Sequence, residues 1–410
     1  VENFMLREKH NEYGGGVIMG SATANVAGYD GSTQTVAIAD TGLGDGTKEN
    51  AHRDILPARI SEIYDWPGSS SFGCYEVFPD GPRDVDAGHG THVTLSVLGE
   101  GGLSGGGRGV APSAGLIFQA VENFVDFYSL CAGVYPDGYY LIGIPPDISD
   151  LFLQAYNRGA RVHSNSWGSD AMGEYTVDSA NADDFIWNHK DMTITFSAGN
   201  AGIDADGDGV IDGSTSSTPL ESSMGSPATA KNVISVGASE NERADQYPCD
   251  PSLARCDGDN EPLFTYGEAW PGNFPANPIR DDSSAGNGEQ MAAFSSRGRT
   301  DDARIKPDVV APGTWVLSGY SDLYQEGYDP SPNPRNLAWQ YDGWGEPYSG
   351  YYKYMGGTSM ASPLVAGGAA VVRDFYQKDY VHSASAALIK ATLINSADDM
   401  LDENNDGVND

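Results

Sequence analysis

The run TVAIADTG (35–42) carries a stretch of small and apolar residues up to an acid, Asp40. An Asp-Thr-Gly of this kind serves two chemistries. Two such carboxylates sharing one proton activate water. Alternatively, one carboxylate orients a histidine that takes the proton from a serine hydroxyl. The first needs a second Asp-Thr-Gly or Asp-Ser-Gly, and none follows in the chain. The second needs three further parts, and candidates exist for each. GHGTHV (88–93) offers His89, flanked by glycines that let backbone and substrate approach closely. GGTSMASP (356–363) offers Ser359 at the start of a small-residue helix, where backbone N–H groups and the positive helix end adjoin the hydroxyl. SAGN (197–200) offers Asn200, whose side-chain amide can donate to a developing oxyanion. A lone histidine near glycine is ordinarily a turn or core residue, and His92, His10, His52, His163, His189 and His382 are read that way.

These residues are far apart in the chain, so a scaffold must gather them. Short buried runs at Val36–Ala39, Leu116–Val121, Arg161–Ser164, Met192–Ser197 and Val233–Val236 read as parallel strands. Helical period or small apolar composition marks 148–160, 179–191, 359–377 and 383–397. Strands alternating with helices give an α/β fold with a mainly parallel sheet, whose function sits at the carboxyl ends of its strands. Asp40 and Asn200 both fall on that edge. Stretches 244–290 and 320–353, rich in Pro and Gly with Asn and Asp or Tyr and Trp, read as loop insertions.

In the order Asp40, His89, Asn200, Ser359, the four motifs resemble a subtilisin-like serine peptidase (a subtilase). NSWG (165–168), GSPATAKNVISVGA (225–238), FSSRG (294–298) and KPDVVAPG (306–313) fill the gaps in the same pattern. GARVHSNSWG, HKDMTITFSAGN and KYMGGTSMASP most resemble the alkaline, oxidatively robust bacterial subtilases that carry a C-terminal β-barrel. The resemblance implies a three-layer α/β/α catalytic domain over 31–410, with 1–30 packed on it as an extension and insertions at about 201–224, 244–290 and 320–353. It implies Ser359 as nucleophile, His89 as general base and Asp40 as its orienting acid. Asn200 and the Ser359 N–H would form the oxyanion hole. Ser166, Trp167 and Gly168 would pair with substrate backbone, and Trp167 and Gly199 would wall the pocket before the scissile bond. Protein or peptide substrates, secretion (with cell-surface attachment as a variant) and a removed N-terminal propeptide follow from the same likeness. One departure is Arg299 after FSSRG, where the family usually has Pro.

Fifty-eight acidic against 23 basic residues leave a formal charge of −35, which argues against nucleic acid and anionic membranes as partners and suits cations or salt. No apolar run reaches the length of a transmembrane segment. Cys249 and Cys256 bracket a short loop and are placed to close it, leaving Cys74 with Cys131; the alternative is four thiols. DADGDGVID (204–212) has the spacing of a calcium loop, with Asp204, Asp206, Asp208 and Asp212, the Val210 carbonyl, and Gly209 at the turn, but Thr215 where the closing Glu belongs. DENNDGVND (402–410) repeats the pattern with Asp402, Asn404, Asp406 and Asp410. The sequence stops inside that loop and opens on Val1, so the natural protein is expected to extend beyond 410 and to have lost a segment before Val1. The expected function is a calcium-stabilised serine endopeptidase; its rival is a calcium-binding surface or structural protein on a weakly active peptidase scaffold.

Overall fold

The five buried runs become the middle of a seven-stranded parallel sheet in a computed structural model, which describes residues 20–103, 107–212, 222–243, 246–256 and 260–400. In chain order the strands are β1 (Thr35–Asp40), β2 (Ile60–Asp65), β3 (Gly115–Ala120), β4 (Val162–Asn165), β5 (Thr193–Ser197), β6 (Ile234–Ser239) and β7 (Val309–Pro312). They lie side by side as β7-β6-β5-β4-β1-β3-β2, and every neighbouring pair is parallel. β2 and β7, the two edges, were not among the strands read from sequence. β2 is only half buried and carries charged residues, so it lacks the continuous apolar run that marks a central strand.

Five helices cover the two faces: α1 (His89–Leu98), α2 (Ser149–Asn157), α3 (Val177–Asn188), α4 (Thr358–Tyr380) and α5 (Ala386–Ser396). Successive residues of β1 face opposite ways. Val36 and Ile38 enter one core with Val93 and Leu95 of α1 and Leu364 and Val365 of α4. Ala37 and Ala39 enter the other with Phe152 of α2 and Phe185 of α3. The result is the expected three-layer α/β/α arrangement. α4 approaches closely because it is lined with small residues: a Cβ on Gly367 would lie 2.7 Å from the Val110 Cβ.

Of the N-terminal stretch, the described part includes a short helix, Ser21–Val26, whose neighbour Tyr29 packs edge-on against Phe375 of α4. The buried Asp374 of α4 accepts from the backbone N–H groups of Asp30, Gly31 and Thr33. Disulfides join Cys74 to Cys131 and Cys249 to Cys256. The 244–290 and 320–353 stretches meet each other. Arg255, inside the Cys249–Cys256 loop, pairs with Glu326 at 2.8 Å and with Asp342 and Glu346. Beside it Phe264, Trp270, Trp315 and Trp344 form an aromatic cluster, with Trp270 and Trp344 ring centroids 5.2 Å apart. Among the described residues no helix is long and apolar enough to cross a membrane.

Candidate active site

Parallel strands in the order β5-β4-β1-β3 place four consecutive carboxyl ends on one edge. They deliver SAGN and Asn200, then Ser166–Gly168, then Asp40, then the Val121–Asn123 turn. Two helices point their N-termini at the same edge, α1 beginning at His89 and α4 at Thr358 beside Ser359. Asp40, His89, Asn200 and Ser359 all line one cleft of about 490 Å³, together with Ser166, Trp167, Gly168 and Gly199.

Asp40 is almost fully buried, and its Oδ1 accepts from His89 Nδ1 at 2.6 Å and from the Thr41 N–H at 2.8 Å. The histidine keeps 20% of its side chain open to the cleft. Burial pulls its imidazole down, but the Asp40 charge and hydrogen bond, with the more distant Asp84, leave it raised above the ordinary histidine value. A second, wholly buried carboxylate clamps the pair from behind. Asp84 accepts from the Thr41 hydroxyl at 2.9 Å and from the Thr91 N–H at 2.7 Å, so it joins the residue after Asp40 to the first turn of α1. Burial pushes Asp84 up to about 6 despite those donors. Gly88 precedes His89 with φ 68°, and a Cβ there would lie 2.2 Å from Gln340 Oε1. The buried Lys353 donates to the carbonyls of Ala87 (2.7 Å) and Tyr341 (2.6 Å). The 320–353 stretch thereby fixes the turn that presents His89.

At the other helix end Pro363 sits within α4. It has no N–H for the carbonyl four residues back, which is that of Ser359. The Ser166 hydroxyl fills the gap, donating to the Ser359 carbonyl at 2.7 Å. In return the Ser359 hydroxyl donates to the Ser166 carbonyl at 3.0 Å. The resemblance implies a Ser359 hydroxyl that meets His89; here the hydroxyl is bonded to the Ser166 carbonyl, and Ser359 and His89 line the same cleft. Asn200 is exposed to the cleft. Its Oδ1 accepts from the Thr358 N–H (2.8 Å) and hydroxyl (3.0 Å), which leaves the Nδ2 amide directed away as a donor. Trp167 is held by its indole N–H on the Ala39 carbonyl at 3.0 Å. His92 Nε2–H donates to the Val316 carbonyl (3.0 Å) and the residue is fully buried, a core histidine in line with its sequence pattern.

The subtilase family model matches residues 31–409. The chain belongs to the subtilase family. Among curated proteins it is 29% identical over 364 residues to the serine protease/ABC transporter B family protein tagD of Dictyostelium discoideum, covering 77% of this chain and 18% of that one. It is 26% identical over 351 residues to the serine protease AprX of Bacillus subtilis (strain 168), covering 83% of this chain and 57% of that one. This subtilase spans about a fifth of the length of the Dictyostelium relatives it matches. A solved structure, the S41 psychrophilic protease, shares 21% identity at a TM-score of 0.48, over 89% of this chain and 83% of that one.

Behind Asn200 the subtilase carries its 204–212 loop. Carboxylate oxygens of Asp204, Asp206 and Asp208 lie within 4.8 Å of one another. Asp204 is buried and accepts from the N–H groups of Gly207, Asp208 and Gly209, while Asp212 accepts from Ala205 and Asp206. Gly209, at φ 90°, passes so near Asn277 that a Cβ would lie 2.0 Å from its carbonyl oxygen. An all-oxygen donor set of this spacing fits a hard divalent cation. Thr215 and the 402–410 loop, with Asp402, Asn404, Asp406 and Asp410, lie outside the described residues. Arg299 forms a short antiparallel pair with Ile305, away from the cleft lining.

Three residues at the site escaped the sequence reading: Asp84, Lys353 and Glu122. Asp84 and Lys353 act through hydrogen bonds to distant segments, which no local pattern reveals. Glu122 left a signal, since a charged residue directly after a buried strand of a parallel sheet stands on the functional edge.

Proposed function

We propose that this subtilase is a secreted serine endopeptidase that hydrolyses protein and peptide substrates through an acyl-enzyme on Ser359, with calcium stabilising the fold. The observation that carries the reading is the 2.6 Å Asp40–His89 pair facing the same cleft as Ser359 and the Asn200 amide. With substrate bound, the Ser359 hydroxyl turns from Ser166 to His89 Nε2 and attacks the scissile carbonyl as the imidazole takes its proton. Asp40 fixes the tautomer, because its carboxylate holds Nδ1–H. The tetrahedral oxyanion receives the Asn200 Nδ2–H and the Ser359 N–H at the positive end of α4. Collapse breaks the C–N bond, and His89 returns the proton to the departing amine. Water, deprotonated by the same imidazole, then releases the acyl group and restores Ser359. Ser166–Gly168 offers backbone to an extended substrate, with Trp167 and Gly199 beside the side chain that precedes the cut.

Digestion of a denatured protein tests the endopeptidase reading. Internal fragments are expected; loss of terminal residues alone would contradict it. Asn200→Ala is expected to lower kcat by about 10²–10³ with little change in KM, the loss measured for a side-chain oxyanion donor in subtilisin. An unaltered kcat would remove Asn200 from the mechanism.

Asp204, Asp206, Asp208, Asp212 and the Val210 carbonyl would hold calcium in the first loop. The second loop, Asp402 to Asp410, is proposed on spacing alone. An ion bound only by the folded state adds about 2.7 kcal/mol at a free concentration of 100 Kd. Chelation is therefore expected to lower Tm and hasten autolysis, and Asp204→Ala to remove most of the calcium response. Equal melting with and without chelator would dispose of the ion. Secretion is supported by the pairing of all four cysteines as disulfides. Within the family, the wording of the KYMGGTSMASP and SAGN motifs supports the alkaline bacterial branch with a C-terminal β-barrel. The accessible cleft favours the enzyme over a calcium-binding structural protein.

A further inference from the structure

One acid in the cleft has no part in the reaction just described. Glu122 follows β3 and lines the cleft with His89, Ala87 and Leu141. It is only 9% exposed, and among the described residues nothing donates a hydrogen bond to its carboxylate. Its backbone is pinned on both sides. The Val121 N–H donates to the Asp40 carbonyl at 2.9 Å, the Val121 carbonyl accepts from Gly143 at 2.8 Å, and Asn123 Nδ2 donates to the Trp66 carbonyl at 3.2 Å. Burial, together with the charges of Asp84, Asp86, Asp40 and Asp80, holds Glu122 well above the usual carboxylate range. A buried acid among other acids, open on one side to a binding cleft, is a place where an incoming cation gains the most. None of the residues lining the cleft is Lys or Arg, so the lining itself supplies no such cation.

We propose that Glu122 is a specificity-determining residue that receives a lysine or arginine side chain carried by the second residue before the scissile bond. The position follows from strand geometry. A substrate extended along Ser166–Gly168 turns successive side chains to opposite sides. The side chain next to the cut falls on the β5 side, with Gly199, Ser169 and Asp170. The one before it falls on the β1–β3 side, where His89 and Glu122 stand.

The inference rests on the peptidase reading, and its test keeps the two apart. Two peptides differing only in lysine against norleucine at that position are compared at alkaline pH. The wild type is expected to favour lysine by about tenfold or more in kcat/KM. Glu122→Gln should bring the ratio close to one, Glu122→Asp should retain part of it, and Asp170→Asn should leave it standing. The same pair is then bound to the Ser359→Ala variant, where affinity is read without turnover and the lysine peptide is expected to bind more tightly. Equal treatment of both peptides by the wild type, or a ratio that survives Glu122→Gln, overturns the assignment while cleavage continues. Failure to cut either peptide overturns the peptidase reading instead, and equal binding to Ser359→Ala would then reject the Glu122 subsite as well.

Discussion

Ser359→Ala is expected to lower kcat for peptide hydrolysis by about 10⁶-fold, a magnitude measured for loss of this nucleophile in subtilisin itself. The change removes the only atom that forms the acyl bond, while the cleft walls and Asn200 stay in place. KM should therefore move little, and a residual rate of about 10³–10⁴ over water should persist from binding and oxyanion stabilisation. The variant loses the Ser359 hydroxyl bond to the Ser166 carbonyl, worth about 1 kcal/mol of stability. The reverse bond, Ser166 hydroxyl to Ser359 carbonyl, remains because it uses the backbone. Activity and melting thus separate: a near-total loss of turnover with a small fall in Tm, read by active-site-normalised kinetics and calorimetry. A collapse of both together would make Ser359 structural.

Asp40→Asn should cost about 10⁴-fold in kcat, because an amide can donate to Nδ1 and so favour the wrong tautomer. It should also move the pH profile. In the wild type, burial lowers the His89 pKa, but the charge and hydrogen bond of Asp40 raise it to above the ordinary value. The base must be neutral to act, so activity is lost as pH falls through that raised pKa, above the ordinary ~6.5. Removing the charge leaves burial dominant, and the acid limb of kcat/KM should shift to lower pH under a far lower plateau. The linkage to stability has the opposite sense. The pair's contribution is full below the unfolded pKa of ~6.5 and is lost as pH rises through the raised folded pKa. An acid limb that does not move in Asp40→Asn would show that the 2.6 Å contact does not govern the imidazole.

Much of this site was legible because its chemistry sits at strand ends. Val36–Ala39 reads as a buried strand from its unbroken apolar run, and Asp40, the acid that closes the run, stands on the functional edge. α1 was less legible: every residue from Gly90 to Leu98 is buried, so no polar face marks its helical period. The reciprocal bonds between Ser166 and Ser359 were illegible too, since they need β4 and α4 to meet. Asp84 and Lys353 show the same limit. Their hydrogen bonds cross from 41 to 84 and from 353 to 87, and only the folded chain joins those positions. The insertions were visible as composition, but their mutual packing through Arg255 and the Trp270–Trp344 contact was not.

The central claim is that Ser359 is an activated nucleophile, and a fluorophosphonate probe tests it most directly. The folded protein should take up one phosphonyl group, and peptide mapping should place it on Ser359. Heat-unfolded protein, His89→Ala and Ser359→Ala should all remain unlabelled. Modification of some other residue, or no modification of the folded protein, would contradict the account.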